Sequence, residues 1–206
     1  MSETQRWITN SQMRLALVVV GDLLGHTGQT AVLRFSRLER YIDQLPPDDG
    51  RLDIPRSDIT ELFSGIVSMF GEQGARGVLR RWGRAFAARR LERQAALRLR
   101  RLGLRLVPAE RRARYALDTL LPHVDLARPG HSPLIDDQGE YFVIELRDCL
   151  YCQGKNVSHP TCPAVIGLLE GVLRWATGSD YDVIEDAPSD PDAHPFRIRK
   201  RPLSRR

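Results

Sequence analysis

The chain has 206 residues, of which 42% are hydrophobic, which is enough to bury the core of one domain and to exclude disorder throughout. The formal net charge of +5 is unevenly distributed, because residues 76–114 contain fourteen arginines and two glutamates and can attract an anionic partner. The longest apolar run, residues 15–20, is far shorter than the roughly 20 residues that span a bilayer, and residues 1–10 lack a signal-peptide pattern. A cytoplasmic protein without a membrane span is therefore expected.

Five helices are predicted in the first 122 residues, because apolar side chains recur there at every third or fourth position. Asn10 or Ser11 is a suitable N-cap for the first helix. Gly25 and Gly28 are expected to loosen or end that helix. The predicted helices cover residues 13–24, 31–45, 57–70, 75–102 and 108–121.

After residue 122 the apolar period changes from about 3.6 to 2, which indicates strands. The predicted elements are strands over 132–135 and 140–147, a helix over 163–176 and strands over 181–185 and 196–200. The expected class is α+β, with N-terminal helices packed on a small antiparallel sheet and one C-terminal helix. We expect a helical segment over 1–50, a ligand-binding domain over 51–200 and a flexible tail over 201–206, with the whole chain forming one compact unit.

Three cysteines lie within fourteen positions. Cys149 and Cys152 have the C-x-x-C spacing with which two thiolates hold one tetrahedral ion, and His159 and Cys162 are close enough in sequence to complete such a site. Two alternatives are cysteines that pack as small hydrophobic residues and a redox dithiol. The Gln153-Gly154 pair after Cys152 suggests a loop and not the helix start that lowers a thiol pKa, which argues against redox chemistry.

The sequence shows no arrangement for catalysis. No histidine has an acid at motif spacing, so no nucleophilic triad can be assembled. The glycines at 21, 25 and 28 follow a helical pattern and not a strand, which excludes a dinucleotide fingerprint. We therefore expect no catalytic residues and no nucleotide or nicotinamide cofactor, and a protein that is not an enzyme.

The C-terminal third contains a cysteine that begins a helix with spaced glycines, a Val-x-Glu strand and a closing aromatic residue. These residues are Cys162, Gly167, Gly171, Gly178, Val183, Glu185 and Phe196. In this pattern the chain resembles the 4-vinyl reductase domain family, and residues 21–25, 41–45, 70–76 and 81–84 resemble its hydrocarbon-binding members. The resemblance implies a domain similar to the ligand-sensing modules of aromatic-responsive activators and to subunits of vesicle-transport particles, which bind small apolar molecules without turning them over.

The resemblance also implies a zinc site, for which the family commonly uses the position of Cys162 and two further cysteines. Pro188 and His194 stand at the other two positions in this chain, so the family site does not transfer intact. The hypothesis is a closed structural zinc site formed by Cys149, Cys152 and Cys162, with His194 or His159 as the fourth ligand.

The leading functional prediction is a module that binds a small apolar ligand between the N-terminal helices and the sheet. Its predicted aromatic lining is Phe63, Phe70, Trp82, Phe86, Tyr141 and Trp175. One alternative, which rests on the family name, is an accessory or carrier protein in tetrapyrrole (bacteriochlorophyll) vinyl reduction. Another is nucleic-acid binding through the arginine-rich helix. A homodimer is also expected, as is common among the relatives that the resemblance suggests.

Overall fold

The computed structural model describes residues 7–104, 106–124, 133–147, 162–186 and 193–204. Helices and small antiparallel sheets make up these residues, which confirms the predicted α+β class. The chain divides into two compact units, Met1–Trp82 and Gly83–Arg206. The domain boundary expected at residue 50 stays a prediction.

The first unit contains one long helix and the beginning of another. Helix α1 spans Asn10–Phe35, and α2 begins at Ser57 and runs to Glu92. The two short strands β1 (Trp7–Ile8) and β2 (Ile54–Pro55) pair antiparallel and hold the N-termini of these helices together. The N-cap of α1 is Thr9 and not Asn10 or Ser11, because the Thr9 hydroxyl accepts a hydrogen bond from the Gln12 amide over 3.1 Å.

Helices α1 and α2 each consist of two helical segments that meet at a glycine, where the sequence predicts a helix to loosen or end. Gly25 in α1 has φ 71° and ψ 172°, and Gly71 in α2 has φ 67° and ψ 167°. These left-handed φ values are accessible to glycine at little steric cost. Each helix therefore has a kink at its glycine, as predicted, and the helix predicted over 75–102 divides after Glu92 into the end of α2 and α3.

The second unit adds three helices and a four-stranded sheet to the last turns of α2. Helices α3 (Ala95–Leu104) and α4 (Ala109–Tyr115) are followed by a π-helical turn, Ala116–Leu120, and a 3₁₀ turn, Leu121–Val124. Helix α5 spans Pro163–Thr177, as predicted to within one residue. The strands are β3 (Leu134–Gln138), β4 (Tyr141–Arg147), β5 (Val183–Glu185) and β6 (Ala193–Arg199).

The sheet has the order β3-β4-β6-β5, with every neighbouring pair antiparallel. On β4 every second side chain is buried, namely Phe142, Ile144 and Leu146. Phe142 faces Ile198 and Ile144 faces Phe196 across the β4–β6 pair, and these partners are buried as well. One face of the sheet therefore belongs to the core of the second unit, as the period-2 pattern predicted.

Helix α5 packs directly on the last turns of α2. A Cβ atom added to Gly83 would lie 2.2 Å from the Ala164 carbonyl oxygen, and one added to Gly171 would lie 2.8 Å from the Arg84 carbonyl oxygen. The Arg84 guanidinium binds the buried Glu170 carboxylate over 2.7 Å at the same contact. The spaced glycines of α5 thus serve close helix packing, the use that the sequence favours.

Helix α1 is, among the described residues, the one helix long and apolar enough to cross a membrane by length and composition. The buried core helix of a globular unit meets the same criterion. Its first half packs inside the first unit, where Met13, Leu17 and Val19 have no exposed surface. The Gln29 side chain also folds back to donate a hydrogen bond to the Leu17 carbonyl oxygen.

Candidate functional site

A carboxylate joins the sheet to the start of α5 in the second unit. The Glu185 side chain, 2% exposed, accepts a hydrogen bond from the backbone amide of Cys162 over 2.7 Å. Cys162 is the N-cap of α5, and a carboxylate is favourable there because it faces the positive end of the helix dipole. The second Glu185 oxygen lies 3.6 Å from His194 Nδ1. Glu185 therefore holds β5, β6 and α5 together.

This cluster contains two of the four predicted zinc ligands, Cys162 and His194. Cys149, Cys152 and the alternative ligand His159 lie outside the described residues. Within the described part of the chain, no group of three His, Cys, Asp or Glu side chains is placed to hold a metal ion. The predicted zinc cofactor is therefore corrected, since the carboxylate beside Cys162 and His194 is engaged by the helix N-terminus and anchors the fold.

Two of the aromatic residues predicted to line a pocket meet in the first unit. The rings of Phe63 and Trp82 are 4.8 Å apart at an interplanar angle of 80°, the edge-to-face geometry that aromatic pairs favour. Trp82 Nε1 donates a hydrogen bond to the Ala16 carbonyl oxygen over 3.1 Å. The ring contact joins the two segments of α2, and the Trp82 hydrogen bond joins α2 to α1. Phe70 lies farther along α2, directly before the kink, and is 37% exposed.

The other three predicted aromatic residues lie in the second unit at separate places. Trp175 on α5 donates a hydrogen bond from Nε1 to Glu92 Oε1 over 2.7 Å, and the Arg101 guanidinium lies 5.0 Å above its ring. Tyr141 lies on β4 under the Arg197 guanidinium, 5.5 Å from the ring centroid. Phe86 is buried on α2. Helical spacing predicted the burial of Phe86 and Trp175, and their role in binding a ligand stays a prediction.

A buried polar cluster in the first unit was not found by the sequence analysis. The Asp58 carboxylate, in the first turn of α2, accepts a hydrogen bond from the Tyr41 hydroxyl over 2.5 Å. The same carboxylate forms an ion pair with the Arg40 guanidinium. Burial, followed by the bond to Asp58, raises the pKa of Tyr41 to about 12. An acid in the first turn of a helix was a visible signal, but its partners lie seventeen and eighteen positions earlier. Sequence spacing alone does not connect them.

Apolar surface remains open around the two helix kinks. Leu24 and Phe70 stand directly before Gly25 and Gly71, and both are only partly buried. An added Cβ at either glycine would meet no atom within 4 Å. At each kink an apolar side chain thus stands next to uncovered backbone, and we call these four residues together the kink surface.

Comparison with known proteins identifies the fold. No family profile matches the sequence, and no curated protein is recognisably similar to it. Solved H-NOX structures do match. One, from work on heme distortion in the H-NOX family, has a TM-score of 0.58 at 12% identity and covers 97% of this chain and 98% of its own.

Two further solved structures agree. An H-NOX protein from S. oneidensis in the Fe(II)NO ligation state has a TM-score of 0.54 at 12% identity, over 90% of this chain and 97% of its own. An oxygen-binding H-NOX domain related to soluble guanylate cyclases, in its oxygen complex, has a TM-score of 0.53 at 13% identity, over 93% and 95%. At such low identity the likeness shows a shared fold alone.

The expected membership of the 4-vinyl reductase family is wrong, because the structural neighbours are H-NOX domains. The motif that suggested that family has a packing explanation here. Gly171 gives α5 its close approach to α2, and Glu185 accepts the Cys162 amide. Any domain that packs a helix against a helix and a sheet in this way can use these residue types.

The neighbours raise the question of heme, which proteins hold through an axial His, Cys, Met or Tyr. Residues 83–122 and helix α5 contain no His, Cys or Met. His26 is 77% exposed, with Nε2 3.2 Å from Asp43, and His194 lies beside Glu185. The imidazoles of these two residues are thus directed at carboxylates.

A tyrosine that binds iron must lose its proton. Burial raises the pKa of Tyr181 above its ordinary value and that of Tyr41 to about 12, which opposes this loss at both residues. His123 remains, half-buried on a single 3₁₀ turn between Leu121 and Val124. Among the described histidines, His26 and His194 face carboxylates, and His123 is therefore the imidazole whose replacement tests heme ligation.

Proposed function

We propose that this chain is a cytoplasmic small-molecule-binding domain that uses the H-NOX fold to hold a small apolar guest, a hydrocarbon or an aromatic compound. The broad part of the proposal is supported by H-NOX structures described as heme-containing, as a nitric-oxide-ligated state and as an oxygen complex. Heme, nitric oxide and oxygen are all small-molecule ligands. The likeness extends over at least 90% of this chain.

The apolar character of the guest is inferred from α1, and this observation carries the proposal. In the most apolar window of α1, only 33% of the residues are buried. Toward its end, Phe35 is 59% exposed, and Leu23 and Leu24 are partly exposed. Exposed apolar surface of this kind is more often a binding site than a surface that stays in contact with water.

The kink surface is the part of the first unit best suited to the guest. Leu24 and Phe70 offer apolar contact, and the bare backbone at Gly25 and Gly71 leaves space beside them. In the same unit, the Phe63–Trp82 ring contact holds the two segments of α2 together, and the Trp82 hydrogen bond to Ala16 holds α2 to α1. A guest without charge is expected, because the four residues of the kink surface offer no ionised group.

A thermal-shift titration with naphthalene tests this proposal. Saturating ligand, at about one hundred times its dissociation constant, should raise the free energy of unfolding by about 2.7 kcal/mol. Phe70→Gln should remove most of the shift. The matched control Leu52→Gln, at a side chain 46% exposed in the same unit, should retain it. Identical shifts in both variants, or no shift in the wild type, would contradict the proposal.

Addition of hemin to the purified protein tests the exclusion of heme. We expect no stoichiometric Soret band, because two of the three described histidines face carboxylates and the third, His123, lies on a 3₁₀ turn. A stoichiometric band that His123→Ala abolishes would show iron ligation by that imidazole, and the guest would then be heme itself.

A further inference from the structure

Helix α3 is attached to the second unit by one face. Leu97 is 3% exposed. Arg101, four residues later on the same face, binds Glu92 over 3.0 Å and covers the Trp175 ring. This anchoring fixes the rotation of α3 about its axis and determines which side chains point to solvent.

The outward face of α3 is apolar. Leu99 is 71% exposed, and Ala96 and Gly103, three residues before and four after it, are exposed on the same side. Leu106, in the turn that follows the helix, is 92% exposed. Single exposed leucines are common, but two so fully exposed within eight positions form an uncovered apolar strip.

Basic side chains border this strip. Arg98 and Arg100 are exposed and precede and follow Leu99, so they point to either side of it, about 100° away around the helix. Residues 93–109 contain five arginines and no acidic residue. An apolar strip with a cation on each side is the arrangement of a helix that lies in the plane of an anionic membrane interface.

We propose that α3 and the following turn form a peripheral docking surface for an anionic lipid bilayer. Leu99 and Leu106 enter the boundary between headgroups and acyl chains, and Arg98 and Arg100 bind lipid phosphates. Nucleic acid would satisfy the arginines but would leave both leucines in water, since leucine offers neither a ring for base stacking nor a hydrogen bond. This inference is independent of the proposed guest and of the kink surface.

Vesicle co-sedimentation tests this surface. Wild-type protein should sediment with vesicles of mixed phosphatidylcholine and phosphatidylglycerol, less so as salt is raised, and should stay in solution with phosphatidylcholine alone. Leu99→Gln should weaken the partition coefficient by about ten-fold. Replacement of Arg98 and Arg100 by Gln should weaken it by about five-fold for each charge.

The matched controls are two exposed residues outside this surface. Leu134, 73% exposed on β3, precedes Asp136 and Asp137 by two and three residues. Leu134→Gln should therefore bind vesicles as the wild type does. Arg201→Gln should do the same. Thermal melting should show every variant folded, since each changed side chain is exposed.

Three results would overturn the inference. One is the absence of sedimentation with anionic vesicles. Another is equal binding by Leu99→Gln and Leu134→Gln, which would show that the leucine does not insert. The third is tight binding of duplex DNA that depends on Arg98 and Arg100 while vesicle binding is absent, which would assign the basic face to nucleic acid.

Discussion

The contact between α2 and α5 predicts that Gly83→Ala destabilises the second unit. The added Cβ would lie 2.2 Å from the Ala164 carbonyl oxygen and 2.7 Å from the Leu168 amide nitrogen, whereas ordinary contacts begin at 3.4 Å. Both neighbours are backbone atoms of a helix and cannot rotate away. The two helices must therefore separate by about 1 Å, and such overpacking costs about 1–3 kcal/mol.

Helix propensity works in the opposite direction, because alanine favours a helix over glycine by about 1 kcal/mol. Gly77, also in α2, isolates this term, since an added Cβ there meets nothing within 4 Å. Gly77→Ala should stabilise the protein by about 0.5–1 kcal/mol. Gly83→Ala should destabilise it by about 0–2 kcal/mol after the same gain is subtracted from the overpacking cost.

Urea unfolding followed by circular dichroism measures both variants. The two free energies of unfolding should differ by the overpacking cost, about 1–3 kcal/mol, because the helix-propensity gain is common to both variants. If Gly83→Ala unfolds at the same urea concentration as Gly77→Ala, the backbones of α2 and α5 are not in contact at this position. The packing explanation for the glycines of α5 would then fail as well.

Three further predictions concern other positions. Gly25→Ala should lower the melting temperature, because its φ of 71° costs a non-glycine residue about 1–2 kcal/mol; an unchanged melting temperature would refute the kink. Trp175→Phe should lower the free energy of unfolding in urea by about 1 kcal/mol, because the hydrogen bond to Glu92 is lost. An unchanged free energy would contradict a stabilising role for that bond. The raised pKa of Tyr41 means that the folded protein keeps a proton that the unfolded chain loses above about pH 10. Stability should therefore fall as the pH rises from about 10 toward 12, and Tyr41→Phe should reduce that fall; identical pH profiles would contradict the assignment.

The sequence predicted elements whose signal is local. Helix α5 was correct to one residue because Pro163 starts it, Gly178 ends it and apolar residues fill its length. The β3–β4 hairpin followed from the change of apolar period. Strands β1 and β2, with two residues each, were missed because so short a segment has no periodicity.

The errors came from residues with more than one physical use. Cys162 and the glycines of α5 suggested a family and a zinc site. Their roles in capping and close packing depend on Glu185 and Gly83, which are distant in sequence.

Native mass spectrometry of the protein, purified from cells supplied with a heme precursor, tests the central claim most directly. The expected polypeptide carries either no adduct or a small apolar molecule, and shows no absorption band of ligated heme. A stoichiometric heme adduct that survives mild activation would contradict the proposal, because the guest would then be heme.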